Sequence, residues 1–196
     1  MYKLLCVTNS LICTCDFLSR IEVLAQSEIY GIILREKHLT ENEYLALAEQ
    51  VIKICNKYDK LCVLHNFIDV AIQLKHNAIH LPMPVLKNSQ EKLKDFKIIG
   101  ASTHSVEQAQ KAEQLGATYI TYGHIFATSC KEGIQPKGVN SIKAVANSVS
   151  IPVYPLGGIN KNNLALIEQQ GTEGCAVMSG LMTDDYADIL QSLNME

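Results

Sequence analysis

The sequence predicts an α/β protein, a (β/α)8 TIM barrel forming a single compact domain over residues 1–196. Three observations predict it. Short apolar runs alternate with longer segments of helical period, eight such runs occur, and the chemically capable residues gather where the runs end. Strands this apolar are unsuited to half-solvated hairpins. They fit a parallel sheet with both faces covered.

In chain order, the first run, "KLLCVT", leads into "NSLIC" with no glycine. An open doubly wound sheet holding a dinucleotide would need a glycine-rich phosphate turn there, so the barrel is preferred over that alternative. The second run, "YGIILR", ends at Arg35, with Lys37 just beyond. Residues 40 to 57 then read as a helix, with Leu45, Ala48, Ile52 and Cys55 on one face and Thr40 and Glu43 at capping-box spacing. "LCVLH" delivers His65 and Asn66, "AIHL" carries His80, and "KIIGAS" ends at Ser102. Residues 105 to 116 repeat the helical design: Ser105 and Gln108 pair as a cap, Val106, Ala109, Ala112 and Leu115 form a stripe, and Gly116 is the stop. "YITYG" opens into a loop bearing His124, Thr128, Cys130 and Lys131. "IPVYPLGG" and "GCAVMSG" are the last two strands, with helices over residues 160 to 171 and 184 to 194 behind them. In a barrel all these strand ends share one functional rim. The loops "LGGIN" and "VMSG" let backbone amides approach an anion closely, and barrels often hold phosphate after strands seven and eight. A phosphate monoester substrate is expected.

Composition narrows the classes. A chain that is 47% hydrophobic and 19% charged, with net charge −3 and no basic run, offers no footprint for nucleic acid. No run approaches the ~18 apolar residues of a membrane span, and the N-terminal residues carry no cleavage pattern, so a cytoplasmic protein without a membrane partner is expected. The seven cysteines are odd in number, and Cys6, Cys62 and Cys175 lie in apolar runs as reduced core residues. Cys13 and Cys15 form a C-x-C without a second pair at zinc spacing. Neither a metal nor a cofactor is expected.

The segments "IILREK", "IDVA", "AIHLP", "IGASTHSVEQAQKAEQLGATYITYGHIF", "IPVYPLGGIN" and "GCAVMSG" resemble the thiamine phosphate synthase and TenI superfamily over nearly the full chain. The resemblance is closer to the TenI branch, the thiazole tautomerases. It implies a (β/α)8 barrel, a thiazole phosphate substrate at the rim, a place in thiamine biosynthesis and a homo-oligomer, a dimer. The branches differ in chemistry. The synthase joins a pyrimidine diphosphate to the thiazole phosphate with Mg²⁺ on carboxylates. Here "HNFID" has Asn66 where the synthase resembles a metal-binding aspartate, and "HLPMPVL" lacks the second acidic site. Gly123-His124 replaces the synthase's usual Gly-Pro.

The resemblance assigns Gly157, Gly158, Met178 and Ser179 to the phosphate loops, with Gly180 added by adjacency. Arg35, Lys37 and Lys131 are expected to meet a substrate carboxylate, although TenI-like chains can carry arginine at position 37. His124 occupies the TenI histidine position and is the expected catalytic acid and base, since histidine titrates near neutrality. His65, Ser102, Thr128 and Cys130 are expected as substrate-contacting or orienting neighbours, without a covalent role for the thiol. His80 is expected to support the barrel interior, His104 to anchor a helix start, and His38 and His76 to be solvated. Two alternatives stand beside the tautomerase: a synthase with a degraded Mg²⁺-diphosphate site, and a catalytically silent metabolite-binding or regulatory barrel.

Overall fold

The structure is a computed structural model in which residues 2–131 and 133–193 are described, the side chains of Cys130 and Leu193 excepted. Eight strands close a parallel barrel: β1 (Lys3–Val7), β2 (Gly31–Leu34), β3 (Leu61–His65), β4 (Ala78–Pro82), β5 (Ile98–Thr103), β6 (Tyr119–Gly123), β7 (Val153–Leu156) and β8 (Gly174–Val177). Each pairs with the next, and β8 returns to β1 with Leu4 opposite Cys175 and Cys6 opposite Val177. Alternation sorts the side chains into two layers. Leu4, Cys6, Ile32, Leu34, Ile79 and Leu81 belong to the outer core beneath the helices. Leu5, Val7, Ile33, Val63, Tyr119, Tyr154 and Ala176 form the inner one. Two-sided burial is why these runs are apolar at nearly every position.

The helices among the described residues are α1 (Phe17–Gln26), α2 (Glu41–Lys57), α3 (Ile68–Gln73), α4 (Met83–Asn88), α5 (Val106–Gln114), α6 (Ser141–Ala146), α7 (Leu164–Glu168), α8 (Ser179–Met182) and α9 (Tyr186–Leu193). The caps of α2 and α5 form as expected, Thr40 with Glu43 reciprocally and Ser105 accepting from the Gln108 amide. The buried face of α2 is offset from the expected one. It consists of Tyr44, Ala48, Val51 and Cys55, with Leu45 and Ile52 half-buried at its flanks. Tyr44 bridges two strand ends, its hydroxyl donating to the Leu34 carbonyl (2.6 Å) and accepting from the His65 amide (2.9 Å).

Two expected helices shorten. In place of residues 160 to 171 only Leu164–Glu168 is helical, because Asn160 and Asn163 side chains accept from the amides of Asn162 and Asn160 and hold a turn first. The last helix begins at Tyr186 rather than residue 184, and residue 194 lies outside the described residues. Helix α1 shows no clean apolar stripe in the sequence because its buried face contains Arg20, which donates to the carbonyls of Leu181 and Thr183. His76 departs from the solvated role expected of it: it is half-buried, and its Nε2 lies 2.8 Å from the Cys62 carbonyl. Cys6, Cys55, Cys62 and Cys175 are buried free thiols, as their strand and helix positions suggested, while Cys15 is exposed.

Candidate active site

The C-terminal ends of the strands surround a cavity of about 260 Å³. Alternation decides which side chains enter it. Beyond the inner apolar layer, the next inward positions are His65 on β3, His80 on β4, Ser102 on β5 and Thr121 on β6, so the apolar floor gives way to a polar layer. Above it stand Arg35 and Lys37 after β2, and Thr128 and Lys131 after β6. Gly157, Gly158, Met178 and Ser179 close the side formed by β7 and β8.

The cations define one electrostatic pole. Burial first, then the neighbouring Arg35 and Lys131, holds the Lys37 ammonium below the usual lysine range. Three mutually repelling positive charges gathered around one cavity favour an anion between them. Arg35 Nη1 also lies 4.0 Å from Met178 Sδ, which ties this pole to the β8 loop. Between Arg35 and Lys37, Glu36 turns away from the cavity. It is buried, accepting from Thr8 Oγ1 (2.5 Å), the Ser10 amide (2.9 Å) and Ser10 Oγ (2.6 Å). Its carboxylate thus pins the β2 loop to the β1 loop and leaves the flanking cations at the rim.

The interior histidines are neutral near pH 7. Burial, reinforced by His80, Arg35 and Lys37, pushes His65 down to about 2, and burial alone pushes His80 down to about 3. Their rings stack with centroids 5.9 Å apart. His80 Nδ1 is 2.9 Å from the Tyr119 hydroxyl and Nε2 is 2.8 Å from Ser102 Oγ.

His124 follows β6 and is buried at the cavity wall, joined to Gly123 by a cis peptide. Its Nε2 lies 3.1 Å from the Ile134 carbonyl. A carbonyl only accepts, so Nε2 carries hydrogen, and in the neutral ring Nδ1 holds the lone pair. The surrounding chain is fixed by backbone bonds from the amide of Lys137 to the His124 carbonyl (2.9 Å) and from Gly138 to Ile125 (3.0 Å). His104 adds a bond from Nδ1 to the Gly123 carbonyl (2.6 Å). Gly157 packs directly on the histidine. Its φ is +103°, and a Cβ there would lie 2.4 Å from His124 Cβ. Glycine is required by both the conformation and the contact.

The structure thus brings together His124, Arg35, Lys37, His65, Ser102, Thr128, Lys131, Gly157, Gly158, Met178 and Ser179 around one cavity. Gly180, expected beside them in the phosphate loop, is not among the residues lining the cavity and packs against α9, where a Cβ would meet Ile189 Cδ1 at 2.2 Å. The Cys130 side chain lies outside the described residues. His80 lies in the barrel interior and the His104 amide donates to Gln108 Oε1 (2.8 Å) at the start of α5, the supporting places expected of them, and both also reach the cavity wall. Strand parity carries the signal for His80: with Ile79 and Leu81 packed outward, the residue between them faces in. The donor set does not suit Mg²⁺. No described lining residue is a carboxylate, and no group of three or more His, Cys, Asp or Glu among the described residues is arranged to hold a metal ion. No helix among them is long and apolar enough to cross a membrane.

Comparison with known proteins places this geometry among relatives. Residues 4–181 match the family described as thiamine monophosphate synthase, TMP-TENI. The chain is similar to the thiamine-phosphate synthase of Fusobacterium nucleatum, 34% identical over 93% of this chain and 90% of that protein. It is likewise similar to the thiamine-phosphate synthase of Clostridium acetobutylicum, 34% identical over 93% and 88%. Among solved structures, a thiamine phosphate pyrophosphorylase from Pyrococcus furiosus superposes with a TM-score of 0.86 at 26% identity, covering 98% of this chain and 94% of that one. These relatives carry the synthase name, whereas the sequence pointed more closely to the TenI branch.

Proposed function

The chain belongs to the thiamine monophosphate synthase and TenI family, and we propose that within thiamine biosynthesis it acts as a thiazole tautomerase. The observation that carries this choice within the family is the cavity lining, which combines four histidines with three cations and the loops at Gly157–Gly158 and Met178–Ser179 and has no described carboxylate. A diphosphate leaving group needs its charge countered by a carboxylate-held Mg²⁺. A proton shift on a phosphate-anchored ring does not.

In this proposal the loops at Gly157, Gly158, Met178 and Ser179 bind the phosphate. Arg35, Lys37 and Lys131 meet the carboxylate of the carboxythiazole, and His65, Ser102 and Thr128 line the ring between the two anionic ends. The Nε2–H of His124, engaged by the Ile134 carbonyl, orients the ring so that Nδ1 is the proton-accepting atom. Nδ1 takes a proton from the ring carbon of the exocyclic-alkene tautomer, and the imidazolium returns one to the alkene carbon. Charge and atoms balance, and the product is the aromatic isomer. Gly157, in contact with His124, joins the phosphate anchor to the proton carrier, so the anchored substrate is held close to Nδ1.

A second reading, the synthase, is favoured by the names of the relatives at 34% identity. One set of assays separates the two. The tautomerase requires that aromatisation of the thiazole synthase product, followed by NMR, exceed background and fall about 10²- to 10⁴-fold in His124→Ala. Thiamine phosphate formed from the pyrimidine diphosphate and thiazole phosphate with Mg²⁺, without accelerated aromatisation, would replace it with the synthase.

A further inference from the structure

The polar layer beneath the proposed site contains a hydrogen-bonded chain that the reaction described above does not use. Tyr119, His80 and Ser102 come from three adjacent strands whose register sets Gly100 beside both Tyr119 and His80. Gly100 makes the chain possible: a Cβ there would lie 2.4 Å from both His80 Nδ1 and the Tyr119 hydroxyl. All the polar atoms concerned are close enough to bond, at 2.9 Å for Tyr119 to Nδ1 and 2.8 Å for Nε2 to Ser102 Oγ. Thr121 Oγ1 lies further from Nε2, at 3.4 Å.

The direction of the chain follows from satisfying each buried proton. Tyr119 is buried, and among the described residues its hydroxyl meets only His80 Nδ1. If the phenol accepted from Nδ1–H, its own buried O–H would lack an acceptor, a loss of about 1–3 kcal/mol. The phenol therefore donates, Nδ1 accepts, and the proton of the neutral imidazole sits on Nε2. Nε2–H then donates to Ser102 Oγ. One of the serine's two lone pairs is occupied from below, its hydroxyl hydrogen has no other partner among the described residues, and Ser102 lines the cavity.

We infer that His80 and Tyr119 are positioning residues that fix the Ser102 hydroxyl as a hydrogen-bond donor to an acceptor atom of the bound substrate. A histidine free to switch tautomers would let Ser102 turn its hydrogen inward and present a lone pair, which repels an anionic ligand. The relay selects one of these two states before the ligand arrives. The identity of the ligand rests on the tautomerase proposal, whereas the direction of the relay does not.

The test has two parts. In ¹⁵N-histidine NMR of the ligand-free protein, the His80 signal should be that of the Nε2–H tautomer; an Nδ1–H tautomer would overturn the inference. In the second part, affinity for the aromatic carboxythiazole phosphate is measured calorimetrically across a cycle of Tyr119→Phe, Ser102→Ala and the double variant. Tyr119→Phe alone should weaken binding by about 3- to 10-fold, and should add nothing once Ser102 is alanine. A penalty that persists in the Ser102→Ala background identifies general packing damage and overturns the relay. Ligand turnover is scored separately: coupling between the two sites without aromatisation keeps the relay and removes the tautomerase, while aromatisation without coupling does the reverse.

Discussion

Lowering the pH from about 7.5 to about 5 should destabilise this barrel through its interior histidines, before most carboxylates titrate. His65 and His80 bind protons in the native state only near pH 2 and pH 3, respectively. An unfolded histidine does so near about 6.5. Between those limits the unfolded chain holds more protons than the native one, so stability is fully present above about pH 6.5 and declines as pH falls through the window. One pH unit is worth about 1.36 kcal/mol per group, which gives about 2 kcal/mol for each histidine at pH 5 and about 4 kcal/mol for the pair. His76, shifted downward by its own burial, adds in the same sense. The lowered carboxylates of Asp16, Glu22, Glu43 and Glu107 also lose their contribution as pH falls, but mainly below pH 5. Urea denaturation at the two pH values measures the difference. His80→Gln should reduce it by about 2 kcal/mol whatever its effect on absolute stability. A pH difference below about 1 kcal/mol, or one unchanged in that variant, would refute the neutral burial of these rings.

Other perturbations probe the rim. Gly157→Ala places a methyl group 2.4 Å from His124 Cβ at φ +103°, so it should cost more than about 2 kcal/mol in urea and reduce turnover together; a variant with wild-type stability and rate would show that the contact does not constrain the histidine. Lys37→Met relieves repulsion among three cations, so thermal unfolding of the ligand-free protein should move upward while affinity for the carboxythiazole phosphate falls about 10-fold or more. Unchanged affinity would remove Lys37 from the anion pole. Glu36→Ala strands the donors of Thr8 and Ser10, and a loss of about 2–4 kcal/mol by urea denaturation is expected.

The barrel was legible because two-sided burial writes itself as eight apolar runs, and the rim residues because they follow those runs directly. Arg35, Lys131 and His124 needed only strand order to be placed. The parts that escaped depend on spatial relations. Tyr44 escaped because its partners, the Leu34 carbonyl and His65 amide, lie on two strands, β2 and β3, outside its own helix. Glu36 looked like one more charge in "LREK", and only its burial against Thr8 and Ser10 distinguishes it from its neighbours. The first turn of the helix expected over residues 160 to 171 looked regular, yet local asparagine bonds outcompete the helix there. The His80 chain combines three strands 22 and 39 residues apart, a register that composition and period do not encode.

The segment after β6 is fastened at its base by His124, Ile125, Lys137 and Gly138, with Ile134 reaching back to the imidazole. Thr128 and Lys131 belong to the span between those fasteners, where the Lys131 amide donates to the Thr128 carbonyl (3.0 Å) and the Ile134 amide to the Lys131 carbonyl (3.2 Å). A loop built this way is a cassette with fixed terminals. Its tip can be exchanged to alter which charges greet a ligand while His124 stays in register, so that, under the proposed function, substrate preference and acid–base geometry become separately engineerable within one short stretch of chain.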